Sequence, residues 1–219
     1  MSAPAPAAVE GSHRRAPWLQ VLLVYASLEG ALWTAGAVQG VFIGLTVALA
    51  MAWTSFERRR WPELGLDPAS IRCGWWIGPV GAALAGLILF IAWRSHTLRP
   101  PVDTLSVYVA VLLNLIWALM QQFLAQSFFF VRLEQLLHGG RRAVIATALV
   151  FASAHIPNPV LVPVTLVGGL LLSEVFRRNR TIYLLAVAHA LVALSLAVSV
   201  PEHVLHNMRV GIAYLSYQP

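Results

Sequence analysis

The side chains in this chain best able to do chemistry sit on three separate apolar segments. Asn114, Gln121, Gln122 and Gln126 lie along one long apolar run that ends QQFLAQSFFFVRL, His155 closes the stretch FASAH, and His189 is centred in AVAHALVA. Polar side chains are costly inside a bilayer and there usually face a protein interior or a functional cavity, so their recurrence on separate segments points to one site. An amide orients and hydrogen-bonds but takes no proton near neutral pH, whereas an imidazole, with an ordinary pKa near ~6.5, suits proton transfer. His155 and His189 are therefore the candidate acid and base. Gln121, Gln122 and Gln126 are candidate members of the same catalytic layer that orient a substrate or a water. Asn114, Phe151 and Asn158 are expected on the substrate's path, as is Arg132, an interfacial residue able to meet a lipid headgroup.

The elements that must position these residues are membrane helices. Of 219 residues 58% are hydrophobic and only 11% charged, with a mean hydropathy of +0.72, which implies an all-α, polytopic transmembrane bundle forming one domain. The apolar runs predict about seven spans, at 17–37, 40–56, 73–94, 103–130, 143–157, 160–176 and 181–199. Residues 1–16, rich in Ala and Pro, read as a disordered cytoplasmic lead, 17–199 as the membrane domain and 200–219 as an extracytoplasmic tail. A polar loop, ERRRWPELGLDPASIR, separates the second and third spans. With the amino terminus inside, twelve arginines fall on the inner side and only Arg94, Arg99 and Arg209 outside, the asymmetry of a multi-pass cell-membrane protein.

The same span assignment places Gln122, His189 and His155 about nine, eight and twelve residues above the inner ends of their spans, one shared layer at ~1.5 Å per residue. The four amides recur at near-helical spacing, so one stripe facing the bundle is expected. Pro157-Asn158-Pro159 cannot continue a helix. Broken backbone at membrane depth is tolerated where it lines a cavity, so this turn is expected to be sunk toward the site and to open a funnel to water.

Composition removes several function classes. All fifteen basic residues are Arg; the sequence pI of about 10.4 fits loops against anionic headgroups and does not call for nucleic acid. The single cysteine, Cys73, forms no internal disulfide and no metal knot. A divalent metal at His155 and His189 is disfavoured, because a catalytic metal usually has three protein ligands. His203 and His206 read as solvated tail residues. Glu29, in the first span, is weighed as a partner of a site histidine or of Gln39, and Glu174 as a local ion pair with Arg177 and Arg178.

At this point the residues resemble the CAAX-protease and bacteriocin-processing (CPBP) family, which includes the type II prenyl-protein endopeptidases. Its motifs read EExxxRG with a later leucine, then FxxxH, then HxxxN or HxxxD, each on its own span. Here Gln121 and Gln122 stand at the paired glutamates, Gln126 at the arginine and Ser127 at the glycine. Phe151 and His155 match the second motif. His189 matches the third, with Ala193 at its partner position, and ELGLDP, Glu63 to Pro68, looks like the segment that often precedes the family's core. The resemblance covers roughly residues 60 to 200.

The resemblance implies an intramembrane endopeptidase in which a glutamate activates water against a peptide bond and histidines bind a metal or stabilise the oxyanion. That route lacks its base here, since a glutamine cannot take the water's proton. Because the arginine position is also an amide, acid and base disappear together and the layer is neutral. Three classes follow: a protease working through another base, an enzyme acting on an isoprenoid or other membrane-dissolved lipid by histidine acid–base chemistry, and a noncatalytic binder. The expected partners are the bilayer and a prenylated or transmembrane peptide or an isoprenoid lipid.

Overall fold

The computed structural model describes residues 10–56, 61–99 and 104–217, and these are almost entirely helical. In chain order they form α1 (Glu10–Trp33), α2 (Gly36–Phe56), the short α3 (Ser70–Cys73), α4 (Ile77–Arg94), α5 (Thr104–Gln122), a π-helical stretch Phe123–Phe130, α6 (Val131–Leu136), α7 (Gly140–Ser153), α8 (Leu161–Asn179) and α9 (Tyr183–Ser199). The short α10 (Glu202–Leu205), a 3₁₀ turn His206–Met208 and α11 (Gly211–Leu215) complete the tail. Among the described residues, Gly36–Phe56, Ile77–Arg94 and Val107–Leu136 are long and apolar enough to cross a membrane. Tyr183–Ser199 is apolar but shorter. Helices α1, α7 and α8 lie on three further expected spans.

Of the expected disordered lead 1–16, residues 1–9 lie outside the described residues, and from Glu10 the backbone is already helical. The alanine and arginines that looked like a solvated leader are good helix formers and continue α1 outward. The start of the expected loop, 57–60, lies outside the described residues. Its remainder folds against the bundle: Leu64 is buried, its carbonyl accepts from Ser127 Oγ at 2.7 Å, and the Leu66 carbonyl accepts from Tyr183 Oη at 2.9 Å.

Membrane helices gain little from apolar contact with one another, so small residues that let backbones approach decide the packing. A Cβ built on Gly81 of α4 would come within 2.7 Å of Ala188 Cβ on α9, and one on Gly169 of α8 within 3.0 Å of Ala148 Cα on α7. These two pairs, α4 with α9 and α7 with α8, clasp the centre of the molecule. Outside it, α2, α4 and α5 leave large apolar side chains such as Val41, Met51, Phe90, Trp93, Leu113 and Ile116 more than half exposed, the surface that acyl chains solvate.

The main departure from the sequence reading lies inside the fourth expected span. Its end is wound as a π-helix, and Leu124 to Leu133 are all buried. Three consecutive phenylalanines account for the crowding: the Phe128 and Phe129 rings meet edge-on at 5.1 Å and Phe130 packs on Phe176 of α8 at 5.4 Å. Wide i→i+5 turns of this kind are rare and often occur at functional sites.

Candidate functional site

At 3.6 residues per turn, Gln121 lies about 20° around the helix from Asn114, whereas Gln122 and Gln126 lie about 80° and 120° away. The structure separates the four amides along that division. Asn114 and Gln121 line a cavity of about 1080 Å³, while Gln122 and Gln126 are 1% exposed and face the helices behind it. The single inward stripe is therefore two faces, and only one of them touches open space.

The buried pair forms a relay. Gln126 Nε2 donates to Gln122 Oε1 at 3.4 Å and to Ser173 Oγ of α8 at 3.3 Å. Gln122 then presents its own Nε2 to His189 Nδ1 at 3.0 Å. With Gln122 donating, His189 accepts at Nδ1 and carries its proton on Nε2. His155 is held the opposite way: its Nδ1 lies 2.7 Å from the Phe151 carbonyl, to which only an N–H can donate, so its Nε2 keeps the lone pair. The Phe151 ring contacts both imidazoles edge-on, with centroids 4.9 Å from His155 and 5.8 Å from His189. One ring nitrogen able to accept a proton and one able to donate it thus share the wall of one cavity.

The cavity is predominantly apolar, walled by residues of α2, α4, α5, α7, α8 and α9 that include Ile43, Val80, Trp117, Leu171 and Val192. Among its few polar groups is Thr147 of α7, buried and with no hydrogen-bond partner for its hydroxyl among the described residues. Gln126 Oε1, buried behind the wall, likewise lacks one. Sequence reasoning missed Thr147 and Ser173, because one hydroxyl in a helix carries no periodic signal.

Several expected site residues stand elsewhere. Arg132 is fully buried, but its Nε donates to Gln20 Oε1 of α1 at 2.7 Å and its guanidinium lies 4.0 Å over the Phe128 ring, away from the cavity lining. Asn158 is also fully buried and serves backbone. Its Oδ1 accepts from the Val160 and Leu161 amides at 3.1 and 3.0 Å, capping α8, and its Nδ2 donates to the Leu205 and Arg209 carbonyls at 3.1 Å each. Glu29 accepts from Trp33 Nε1 at 3.0 Å, and Gln39 donates to the Ala31 carbonyl at 3.0 Å, so neither meets a site histidine. His206 stacks on Tyr214 and Tyr217 of the tail.

The donor set does not fit a catalytic metal. Nδ1 of each histidine is already engaged by the protein, the polar groups beside them are amides and hydroxyls, and among the described residues no three His, Cys, Asp or Glu side chains converge to hold an ion. Three protein ligands are usual at a catalytic site.

Residues 103–195, from the start of α5 to the last third of α9, match the family described as Type II CAAX prenyl endopeptidase Rce1-like. The match contains the amide run, Phe151, His155 and His189, and it supports the CAAX-protease-like relationship drawn from the motifs. Helices α1 to α4 and the tail lie outside it. No curated protein and no solved structure matches the chain.

Proposed function

We propose that this CAAX-protease-like membrane chain moves protons on an apolar, membrane-dissolved substrate of isoprenoid or other lipid class, and does not hydrolyse peptides through a glutamate base. The observation that carries the reading is the pair of Nδ1 contacts, one to an amide N–H and one to a carbonyl, that hold the two imidazoles in opposite tautomers in the wall of one apolar cavity. His155 Nε2 is the base: it takes a proton from one atom of the substrate and, as imidazolium, returns it to another, so the site is neutral before and after turnover, which suits a layer built from amides. His189 keeps its Nε2–H and donates it as a hydrogen bond to the substrate. Gln122, standing where the family carries glutamate, fixes the His189 tautomer and so positions that donor; Gln121 and Asn114 orient the bound molecule from the cavity wall.

The membrane arrangement proposed with it is multi-pass in the cell membrane, with seven crossings, a cytoplasmic amino terminus and an external tail. Its support is the twelve-to-three division of arginines. Cysteine labelling at Ser2 and Tyr217 should react from opposite sides, and reaction from one side overturns the span count.

The functional reading is tested by lipid analysis of a strain lacking the protein. An apolar lipid should accumulate, be cleared by the wild-type chain, and persist with His155→Ala or His189→Ala. Full complementation by both histidine variants contradicts the acid–base role and favours a noncatalytic binder, for which the cavity alone would serve.

A further inference from the structure

The tail folds back over the cavity, and its geometry bears on what the cavity holds. Met208, Arg209, Val210 and Ala213 form part of the lining. They are pinned from several directions: Asn158 Nδ2 donates to the Leu205 and Arg209 carbonyls at 3.1 Å, and the Gly211 amide donates to the Ile156 carbonyl at 2.8 Å. Gly211 has φ +57°, and a Cβ there would lie 2.0 Å from the Leu32 carbonyl oxygen of α1. Only glycine fits so close an approach in that conformation.

Arg209 is both exposed and part of the lining, so it stands where the cavity meets the outside. Its guanidinium lies 4.6 Å over the Tyr217 ring, and no carboxylate among the described residues is within ion-pair distance of it. The one acid in this part of the tail is Glu202. It accepts from Tyr217 Oη and from Asn207 Nδ2 at 2.6 Å, and Arg99 approaches it at 3.8 Å. One carboxylate, already hydrogen-bonded, thus stands against the two guanidinium groups of Arg99 and Arg209, leaving positive charge in excess at the rim of an otherwise apolar chamber. A cavity larger than the ~300–1,000 Å³ of ordinary small-molecule pockets, apolar within and cationic at the rim, is complementary to an amphiphile.

Building on the lipid-class reading above, we infer that the cavity takes a long-chain amphiphile with an anionic phosphate or carboxylate head, the chain running toward Phe151 and the two histidines and the head held at Arg209. The planar guanidinium offers a bidentate, charge-assisted pair of donors to such a head. Arg209 lies outside the segment that matches the family, so this selectivity belongs to the chain's own tail.

The test uses the full chain in nanodiscs of zwitterionic lipid and two radiolabelled probes of one chain length, hexadecanol and hexadecyl phosphate, counted against empty nanodiscs. The phosphate should bind about tenfold more tightly than the alcohol, the size of effect one charge-assisted contact gives. Arg209→Gln should abolish that preference while leaving hexadecanol binding unchanged; Arg209→Lys should keep most of it, and Arg142→Gln all of it. Equal affinity of the two probes for wild type, or an undiminished preference in Arg209→Gln, overturns the headgroup site while the apolar cavity stands. Binding of neither probe overturns the lipid-class reading and this inference with it.

Discussion

Ser173 and Glu174 are neighbours on α8, yet they belong to opposite electrical environments. Ser173 is fully buried and accepts from Gln126 in a layer of amides, hydroxyls and imidazoles. Glu174, one residue on, is bound by Arg177 Nε and Nη2 at 2.7 Å and by Arg178 Nε at 2.6 Å. Nearby, Glu134 and Arg180 pair at 2.5 Å, each about 29% exposed. Apart from Arg132, buried against Gln20 and the Phe128 ring, the charges named here sit at the helix ends, where water and headgroups share the cost of solvation, and not beside the two histidines, where no such help exists. A glutamate base would need charge in that inner layer, where this chain carries Gln122 and Gln126.

The sharpest way to break the contrast is to move charge inward. Gln122→Glu would place a carboxylate at a position 1% exposed, with Gln126 where a cation would be required, and should cost about 3–5 kcal/mol, read as a large fall in thermal midpoint in detergent. Adding Gln126→Arg should restore part of that loss. A stable Gln122→Glu single variant would show that the layer solvates charge and would remove the contrast. Of intermediate size is Asn158→Ala, which removes the α8 cap and the two donors to the tail for about 1–3 kcal/mol. Proteolysis should then begin in residues 200–217, and an unchanged cleavage pattern would deny the tail its anchor.

The smaller effects lie at the charged ends. Glu174→Gln should leave the thermal midpoint close to wild type, because partly exposed ion pairs contribute little; a loss comparable to that of Gln122→Glu would mean the two regions are not different in kind. In the tail, the hydrogen bond from Tyr217, and then Asn207, Arg99 and Arg209, hold the Glu202 carboxyl below its ordinary value. A depressed carboxylate stabilises above its unfolded pKa, and that contribution is lost as pH falls through the folded value. Hydrogen exchange should therefore quicken in residues 200–217 below the ordinary carboxylate range while α7, α8 and α9 stay protected; acid loosening of all of them together would contradict it.

How much was legible in the sequence follows the same physics. The all-helical class was readable because apolar runs long enough to be membrane helices admit few other structures. The meeting of His155 and His189 across Phe151 followed from polar residues that had nowhere else to go. What escaped was geometry set by contacts distant in sequence. The π-wound stretch, where Phe130 packs on Phe176 of α8, has no counterpart in the local pattern, and which of the two amide faces meets open space is decided by helices that come later in the chain. Asn158 looked like a cavity residue, but it satisfies four backbone groups, two of them from a tail some fifty positions away. The fold-back of that tail, with left-handed backbone at His206, Asn207 and Met208 as well as at Gly211, carries no hydrophobic periodicity from which to read it.

The central claim is that amides at the family's glutamate positions serve proton transfer on a lipid and not peptide hydrolysis. It is tested most directly by incubating purified wild-type protein, beside the Gln122→Ala variant, with a prenylated peptide and a transmembrane peptide, and following the products by mass spectrometry. The account predicts no cleavage above the protein-free control by either form. Robust cleavage by wild type that Gln122→Ala abolishes would contradict it and place the chain among the peptidases that its family match describes.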